Sequence, residues 1–303
     1  MLKDAVDTYL AVRRAAGYKL KDDAFYLYNF VRFATTRGDT HVMSQTAVAW
    51  AEQAYSEPQR STRLKAVIRF ARFSYAADSR HDIPPQGVFC AQRHRPIPYL
   101  YDEGEIQALM DAAARLGPDG SFRPLMYRTL IGLLASTGLR ISEALGLCFT
   151  DFTADGLLIR ETKFGKTRIV PIHSTTHSAL KEYLVVRGKL ATTDDHVFTS
   201  TRRRRMSRQA VYGTFKRLLK TADLPRQAGL PLPRLIDFRH SFASNALVAG
   251  PDRRDQVGSH TLALMTYLGH ASPRSTFWYL ESSPALMDHI VHACEHFVEE
   301  DSQ

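Results

Sequence analysis

Cysteine is scarce in this chain. Cys90, Cys148 and Cys294 are the only three in 303 residues. They are far apart, odd in number and show no Cys-x-x-Cys spacing, which argues against a disulfide framework and against a thiolate zinc site. Long apolar runs are also missing: no segment approaches the roughly 18 apolar residues that a membrane-spanning helix needs. The N-terminus, Met-Leu-Lys-Asp-Ala-Val-Asp-Thr-Tyr-Leu, has no basic stretch leading into an apolar one, as a secretory leader would. A soluble, cytoplasmic protein of a reducing compartment is expected. Acidic residues are outnumbered, 31 Asp and Glu against 40 Lys and Arg, which gives a net charge of +9 and an isoelectric point near 9.5. That excess favours a polyanionic partner through release of phosphate counterions, with nucleic acid the leading candidate. Apolar residues are in ordinary supply at 44%, enough for a sizeable core and, at this length, two domains.

One seam divides the chain. Over residues 3 to 78, Val6, Tyr9 and Leu10, then Phe25, Leu27, Tyr28 and Val31, then Leu64, Val67, Ile68 and Phe70 recur at helical spacing. Between Arg80 and Tyr101 the pattern gives way to His-Asp-Ile-Pro-Pro-Gln-Gly and Arg93-His-Arg-Pro-Ile-Pro, whose prolines prevent a continuous helix. The expected division is a helical domain over 1–92, a linker over 93–101 and a larger domain over 102–303. Up to residue 99 there are 15 basic and nine acidic residues, +6; beyond it there are 25 and 22, +3. The smaller domain is the more basic per residue, and Arg60, Arg63, Lys65, Arg69 and Arg72 fall on one of its helices among Leu64, Val67, Ile68 and Phe73. A cationic face on a helix docked by its apolar stripe suits a phosphate backbone, and equally suits plain solvation.

In the larger domain, Pro124 to Ala135 reads as an apolar helix stopping at Thr137-Gly138, where glycine supplies a left-handed cap. Arg140 then opens the helix Ile141-Ser-Glu-Ala-Leu; an arginine there commonly pairs with Glu143 or caps carbonyls. The two β-prone runs in Gly156-Leu-Leu-Ile-Arg-Glu-Thr-Lys163-Phe-Gly-Lys166-Thr-Arg-Ile-Val-Pro read as a hairpin tipped by Lys163 and Lys166. A lysine at such a tip is commonly solubilising, yet its ammonium is also a competent proton donor beside a phosphodiester. Downstream, Arg202, Arg203, Arg204, Arg205 and Arg208 lead into a cationic amphipathic helix with Lys216, Arg217 and Lys220, a pattern that fits backbone or groove contact with nucleic acid.

The terminal third carries the densest chemistry. Thr261 to Leu268 reads as a short helix capped by Gly269, which leaves His270 at a junction. Ser272-Pro273 starts another helix, with Tyr279 six residues in, about 9 Å along its axis. Singly, His270 reads as a helix-end cap and Tyr279 as a core aromatic beside Phe277 and Trp278.

Together, Thr-Gly-Leu-Arg140-Ile-Ser-Glu, Lys163-Phe-Gly-Lys-Thr-Arg-Ile-Val-Pro, Asp-Phe-Arg239-His-Ser-Phe-Ala, Leu-Gly-His270 and Tyr279 resemble, in order and approximate spacing, the motifs of the tyrosine recombinase (phage integrase) family. The resemblance spans nearly the whole chain. It implies a mainly α fold with a small antiparallel β-sheet, built as a two-domain clamp on double-stranded DNA: a helical core-binding domain plus an α+β catalytic domain. It implies Tyr279 as the nucleophile forming a 3′-phosphotyrosyl link, Arg140 and Arg239 on the non-bridging phosphate oxygens, Lys163 as general acid with Lys166 the second choice, and His270 on the phosphate or the tyrosine. No metal, nucleotide or other cofactor is implied, because the covalent intermediate conserves the bond energy. Arg60, Arg63, Lys65, Arg69, Arg72, Arg202 to Arg205 and Arg208 become DNA contacts.

Two features depart from that pattern. The family usually carries histidine or lysine three residues before the second arginine; here Ile236 stands there, and His240 is the adjacent second-choice candidate. Arg239 and His270 are 31 residues apart, several more than the family suggests, with an insertion expected over Val248–Ser259; together with Met-Thr-Tyr-Leu-Gly-His270 and Phe-Trp-Tyr279-Leu, this resembles recombinases of transposon-like mobile elements. Beyond the nucleophile, Leu286, Met287, Ile290, Val291, Cys294, Phe297 and Val298 line one helix face, which by resemblance docks on a neighbouring protomer in a tetramer on paired sites. His289, His292 and His296 share that helix without carboxylate or cysteine partners and read as surface histidines, not ligands. Against a working recombinase stand two alternatives: a clamp that binds DNA with impaired catalysis, and a type IB topoisomerase.

Overall fold

The computed structural model describes residues 2–89, 97–160, 167–190, 194–224, 231–249 and 254–270, together with 272 and 276. Lys163, Lys166, Tyr279 and the C-terminal segment lie outside the described residues. The chain forms two compact units, Met1–Arg95 and Pro96–Gln303. In the first, α1 (Leu2–Ala15), α2 (Lys21–Thr36), α3 (Ser44–Glu52) and α4 (Glu57–Tyr75) bury Leu10, Leu27, Phe30, Val67 and Phe70 in one core. Phe30 meets Trp50 edge to face at 5.5 Å, a geometry favoured by ring quadrupoles.

The second unit is built around α6 (Arg123–Thr137), whose Leu130, Ile131, Leu133 and Leu134 are all buried. A broad apolar face must be covered, and α5 (Glu103–Ala114), α8 (Ser174–Gly188) and α10 (Asp237–Val248) pack on α6. Asp102 caps α5 by accepting from the Glu105 backbone N–H at 2.7 Å, while Glu105 accepts from that of Asp102 at 3.1 Å, a reciprocal capping box. The hairpin of the sequence reading is joined by a third strand, so that β1 (Phe152–Thr153), β2 (Gly156–Ile159) and β3 (Arg168–Val170) form an antiparallel sheet in that order. The register pairs Leu157 with Val170 and Ile159 with Arg168. The short α7 (Ile141–Ala144), then α9 (Arg208–Thr221) and α11 (Arg254–Leu268), complete the described α-helices.

Two expectations need adjustment. The apolar helix expected to begin at Thr261 begins at Arg254, so part of the expected insertion is helix; Val257 and the buried-side Leu264 lie on one continuous α11. The basic residues of α4 do not share a face. Lys65, Arg69 and Arg72 are exposed, whereas Arg60 and Arg63 are half-buried on the other side. The 100° helical step decides this: Arg60 and Arg63 fall beside Leu64 and Val67, and Arg60 donates from Nε to the Ala54 carbonyl at 3.0 Å while Arg63 lies over the Trp50 ring at 5.3 Å.

Candidate active site

Three stretches far apart in sequence meet at the C-terminal end of α11. Gly138 ends α6 in the left-handed conformation, φ 60°, and a Cβ there would lie 2.6 Å from the Phe242 ring. Only glycine fits that approach of α6 to α10. The turn delivers Arg140 to the N-cap of α7, and the Gly138 carbonyl accepts from Arg239 Nη1 at 3.0 Å. Arg239 is 3% exposed and donates from Nη2 to the Leu268 carbonyl at 2.6 Å. Arg140 makes longer contacts with the same end, from Nη1 to the Leu268 carbonyl at 3.4 Å and from Nη2 to that of Gly269 at 3.5 Å. Arg168, at the base of β3, donates from Nε to the Tyr267 carbonyl at 2.7 Å. Three guanidiniums therefore cap the last carbonyls of one helix, where the macrodipole favours cations.

Glu143 joins this cluster. Its carboxylate accepts from Arg140 Nη1 at 2.7 Å, from the Arg140 backbone N–H at 3.1 Å, and from Arg168 Nη1 and Nη2 at 3.2 and 2.9 Å. Burial works to raise the carboxyl's pKa, yet the hydrogen bonds and charges of Arg168 and Arg140 outweigh it and hold it below the usual range. One carboxylate against three guanidiniums leaves the cluster with two positive charges in excess, a site suited to an anion.

His270 follows Gly269, whose φ of 66° ends α11. Its Nδ1 lies 2.7 Å from the Thr276 hydroxyl, a hydrogen bond that orients the ring. Burial, with the charges of Arg239, Arg140 and Arg168, lowers its pKa to about 4, so the imidazole is neutral at pH 7. Tyr267, nearby in sequence, is not a second nucleophile candidate: its phenol donates to the Pro171 carbonyl at 3.3 Å, and burial pushes its pKa up to about 12.

A cationic cluster made from Thr-Gly-Leu-Arg, Phe-Arg-His and Leu-Gly-His phrases invites comparison with known proteins. The model of the phage integrase family matches residues 100–285, well over half the chain. The chain belongs to the phage integrase family. Its enzymes are tyrosine-type site-specific recombinases, and this chain is one of them. It is 36% identical to y4rB of Sinorhizobium fredii (strain NBRC 101917 / NGR234), which carries an integrase/recombinase name, over 97% of this chain and 96% of that protein. It is 31% identical to tyrosine recombinase XerC of Pseudomonas syringae pv. tomato over 79% of this chain and 74% of the other. Among solved structures, the XerH site-specific recombinase bound to palindromic difH substrate matches with a TM-score of 0.64 at 18% identity, covering 90% of this chain and 78% of that one. The Tn1549 transposon integrase in complex with right-end DNA matches at 0.63 and 17%, covering 95% and 99%. At such identities these structures speak to the shared integrase fold.

Of the residues singled out in the sequence, the integrase-family chain brings Arg140, Arg239 and His270 together. His240 turns back along α10: its Nε2 is 4.0 Å from Asp237, and burial, with the charges of Arg234 and Arg239, lowers its pKa to about 4. Ile236 is the residue before α10 and is partly exposed. Arg202 to Arg205 form a tight exposed loop in which the Ser200 backbone N–H donates to the Arg204 carbonyl at 2.8 Å and Arg203 is left-handed. Arg205 is partly committed, donating from Nε to the Leu145 carbonyl at 3.3 Å. Arg208 opens α9, whose Lys216, Arg217 and Lys220 face solvent opposite Val211, Phe215 and Leu218.

Arg168, Glu143 and Thr276 join the site without a motif that marks them. Arg168 did leave a trace: it shares a strand face with buried Val170, while Ile169 between them is 49% exposed, an inversion of the usual alternation. Two described groups offer metal-type ligands, His41 with Asp78 and His81, and Cys148 with Asp195 and His196. In the first, Asp78 is held by Arg80 at 2.8 Å and His81 Nδ1 accepts from the Val42 N–H at 3.0 Å, contacts that tie the end of α4 to the segment before α3. No helix among the described residues is long and apolar enough to cross a membrane.

Proposed function

We propose that this recombinase cleaves and rejoins DNA strands at a specific site through a 3′-phosphotyrosyl intermediate on Tyr279, in the service of a mobile element. The convergence of Arg140, Arg239 and His270 at one helix end carries the reading. The two arginines bind the non-bridging oxygens of the scissile phosphate and stabilise the added charge of the pentavalent transition state, for which a pre-arranged donor is worth roughly 10²- to 10³-fold in rate. Tyr279 attacks phosphorus, its proton leaving to a base. Neutral His270 hydrogen-bonds the phosphate or assists the tyrosine, whose phenol, of ordinary pKa near 10, needs help in losing its proton. Lys163, or Lys166 in its place, protonates the departing 5′-oxygen, and religation reverses the steps, so no cofactor is consumed. The mobile-element assignment rests on the long Arg239-to-His270 interval together with the phrases Met-Thr-Tyr-Leu-Gly-His270 and Phe-Trp-Tyr279-Leu, and a tetramer on paired sites, joined by C-terminal helices, is the assembly expected.

Ile236 favours a second reading, a DNA-binding clamp with impaired catalysis, because an isoleucine can neither donate a hydrogen bond nor move a proton. A nicked suicide substrate carrying the native site separates the two. A covalent protein–DNA adduct, abolished in Tyr279→Phe, is expected. Tight binding with no adduct under synaptic conditions would refute the enzyme reading and support the second.

A further inference from the structure

Resting on the phosphate-binding role just proposed for Arg140, we propose that Arg168 is a positioning residue that shares the Glu143 carboxylate and so leaves the charge of Arg140 available to the scissile phosphate. Glu143 would otherwise have Arg140 as its sole cationic partner in the cluster, and a one-to-one pair is electrically neutral. Arg168 approaches the same carboxylate with both terminal nitrogens, at 3.2 and 2.9 Å, in the two-pronged geometry that suits a guanidinium and not an ammonium. Its side chain is 11% exposed and that of Glu143 7%, so water screens the pair little.

Its location is equally specific. Nε is spent on the Tyr267 carbonyl, the group packs directly under Gly269, where a Cβ would lie 2.8 Å from Nη1, and Tyr267 returns a bond to Pro171 beyond β3. Arg168 thus ties the foot of the hairpin, Glu143 and the peptide preceding His270 into one unit. Glu143 is the side chain that Arg168 and Arg140 both contact, and it links the two guanidiniums.

The adduct assay of the preceding section tests this directly. If the wild type forms no adduct, the proposed function fails first and the role of Arg168 is settled against with it; if it does, the variants decide. Arg168→Met is expected to slow adduct formation roughly 10- to 100-fold, below the loss from deleting a direct donor, while binding the duplex as the wild type does. Adding Glu143→Gln, which removes the competing charge at constant shape, is expected to restore at least about tenfold of that loss, a non-additivity reporting coupling through the carboxylate. A substrate with a methylphosphonate at the scissile position, which lacks one anionic oxygen, is expected to shrink the Arg168→Met defect to within about threefold, since the electrostatic demand on Arg140 falls. Equal defects on both substrates, or no recovery in the double variant, overturn the proposal in favour of a packing role. Where Arg168→Met alone does not fold, Glu143→Gln is compared with Glu143→Gln/Arg168→Met. Rates agreeing within about threefold support the coupling, and a further drop of tenfold or more refutes it.

Discussion

Gly269 shows how much one residue without a side chain can decide. Its φ of 66° and the 2.8 Å approach of Arg168 act together, so Gly269→Ala is expected to cost about 1 to 3 kcal/mol from backbone strain and overpacking. A lowered urea midpoint checks this. Gly138→Ala is expected to be at least as damaging, because its Cβ would meet the ring of Phe242. The two half-buried histidines set a pH dependence. His270 and His240 have folded pKa values of about 4 against about 6.5 unfolded, so between those values the unfolded chain binds more protons. Stability therefore holds above pH 6.5 and is lost as pH falls towards 4. Urea titrations at pH 7 and pH 5 are expected to show the loss in the wild type and a smaller one in His240→Asn; an equal loss in both would remove His240 from the account.

Among the elements, α4 separates charge that binds from charge that builds. Lys65, Arg69 and Arg72 are exposed, though Arg69 is already 2.5 Å from Asp23; Arg60 and Arg63 serve the fold. If the exposed trio meets phosphate, Lys65→Ala and Arg72→Ala are each expected to lower the slope of log affinity against log salt by about 0.9 and leave the melting temperature nearly unchanged. Arg63→Ala is expected to do the opposite, because it removes a cation over Trp50. Composition announced five basic residues on one helix, but the helical step that sorts them was legible only beside the buried positions. The same holds in the second unit. The stop at Gly138, the pairing of Gly156–Ile159 with Arg168–Val170 and the cap at Gly269 were all readable, since each depends on a local rule of backbone conformation. The partners of Arg168 were not, because Glu143 and the Tyr267 carbonyl reach it across 25 and 99 residues of chain, and no local periodicity encodes a contact of that range.

At the scale of the whole molecule, the chain is two compact units of unequal charge density. Their boundary at Arg95–Pro96 falls inside the proline-rich stretch that marked the seam in the sequence. With its own core around Phe30, Trp50 and Phe70, residues 1–95 are expected to unfold as one cooperative transition when expressed alone, which calorimetry can check. A fragment without a sigmoidal melt would show that the first core depends on the second. Five motifs in order over the chain made the family legible from sequence, because chemistry at a phosphate restricts residue type and the fold restricts their order. The arginine-capped helix end, by contrast, emerged only when the chain was folded.

The acceptors at that helix end are main-chain oxygens of residues 267, 268 and 269. No codon change deletes a carbonyl. Substitutions at Tyr267 or Leu268 can alter packing but leave the acceptor in place, so this portion of the cluster is sheltered from direct mutational loss. Its inheritance depends instead on whatever keeps α11 ending where it does, and in this chain that duty falls on Gly269.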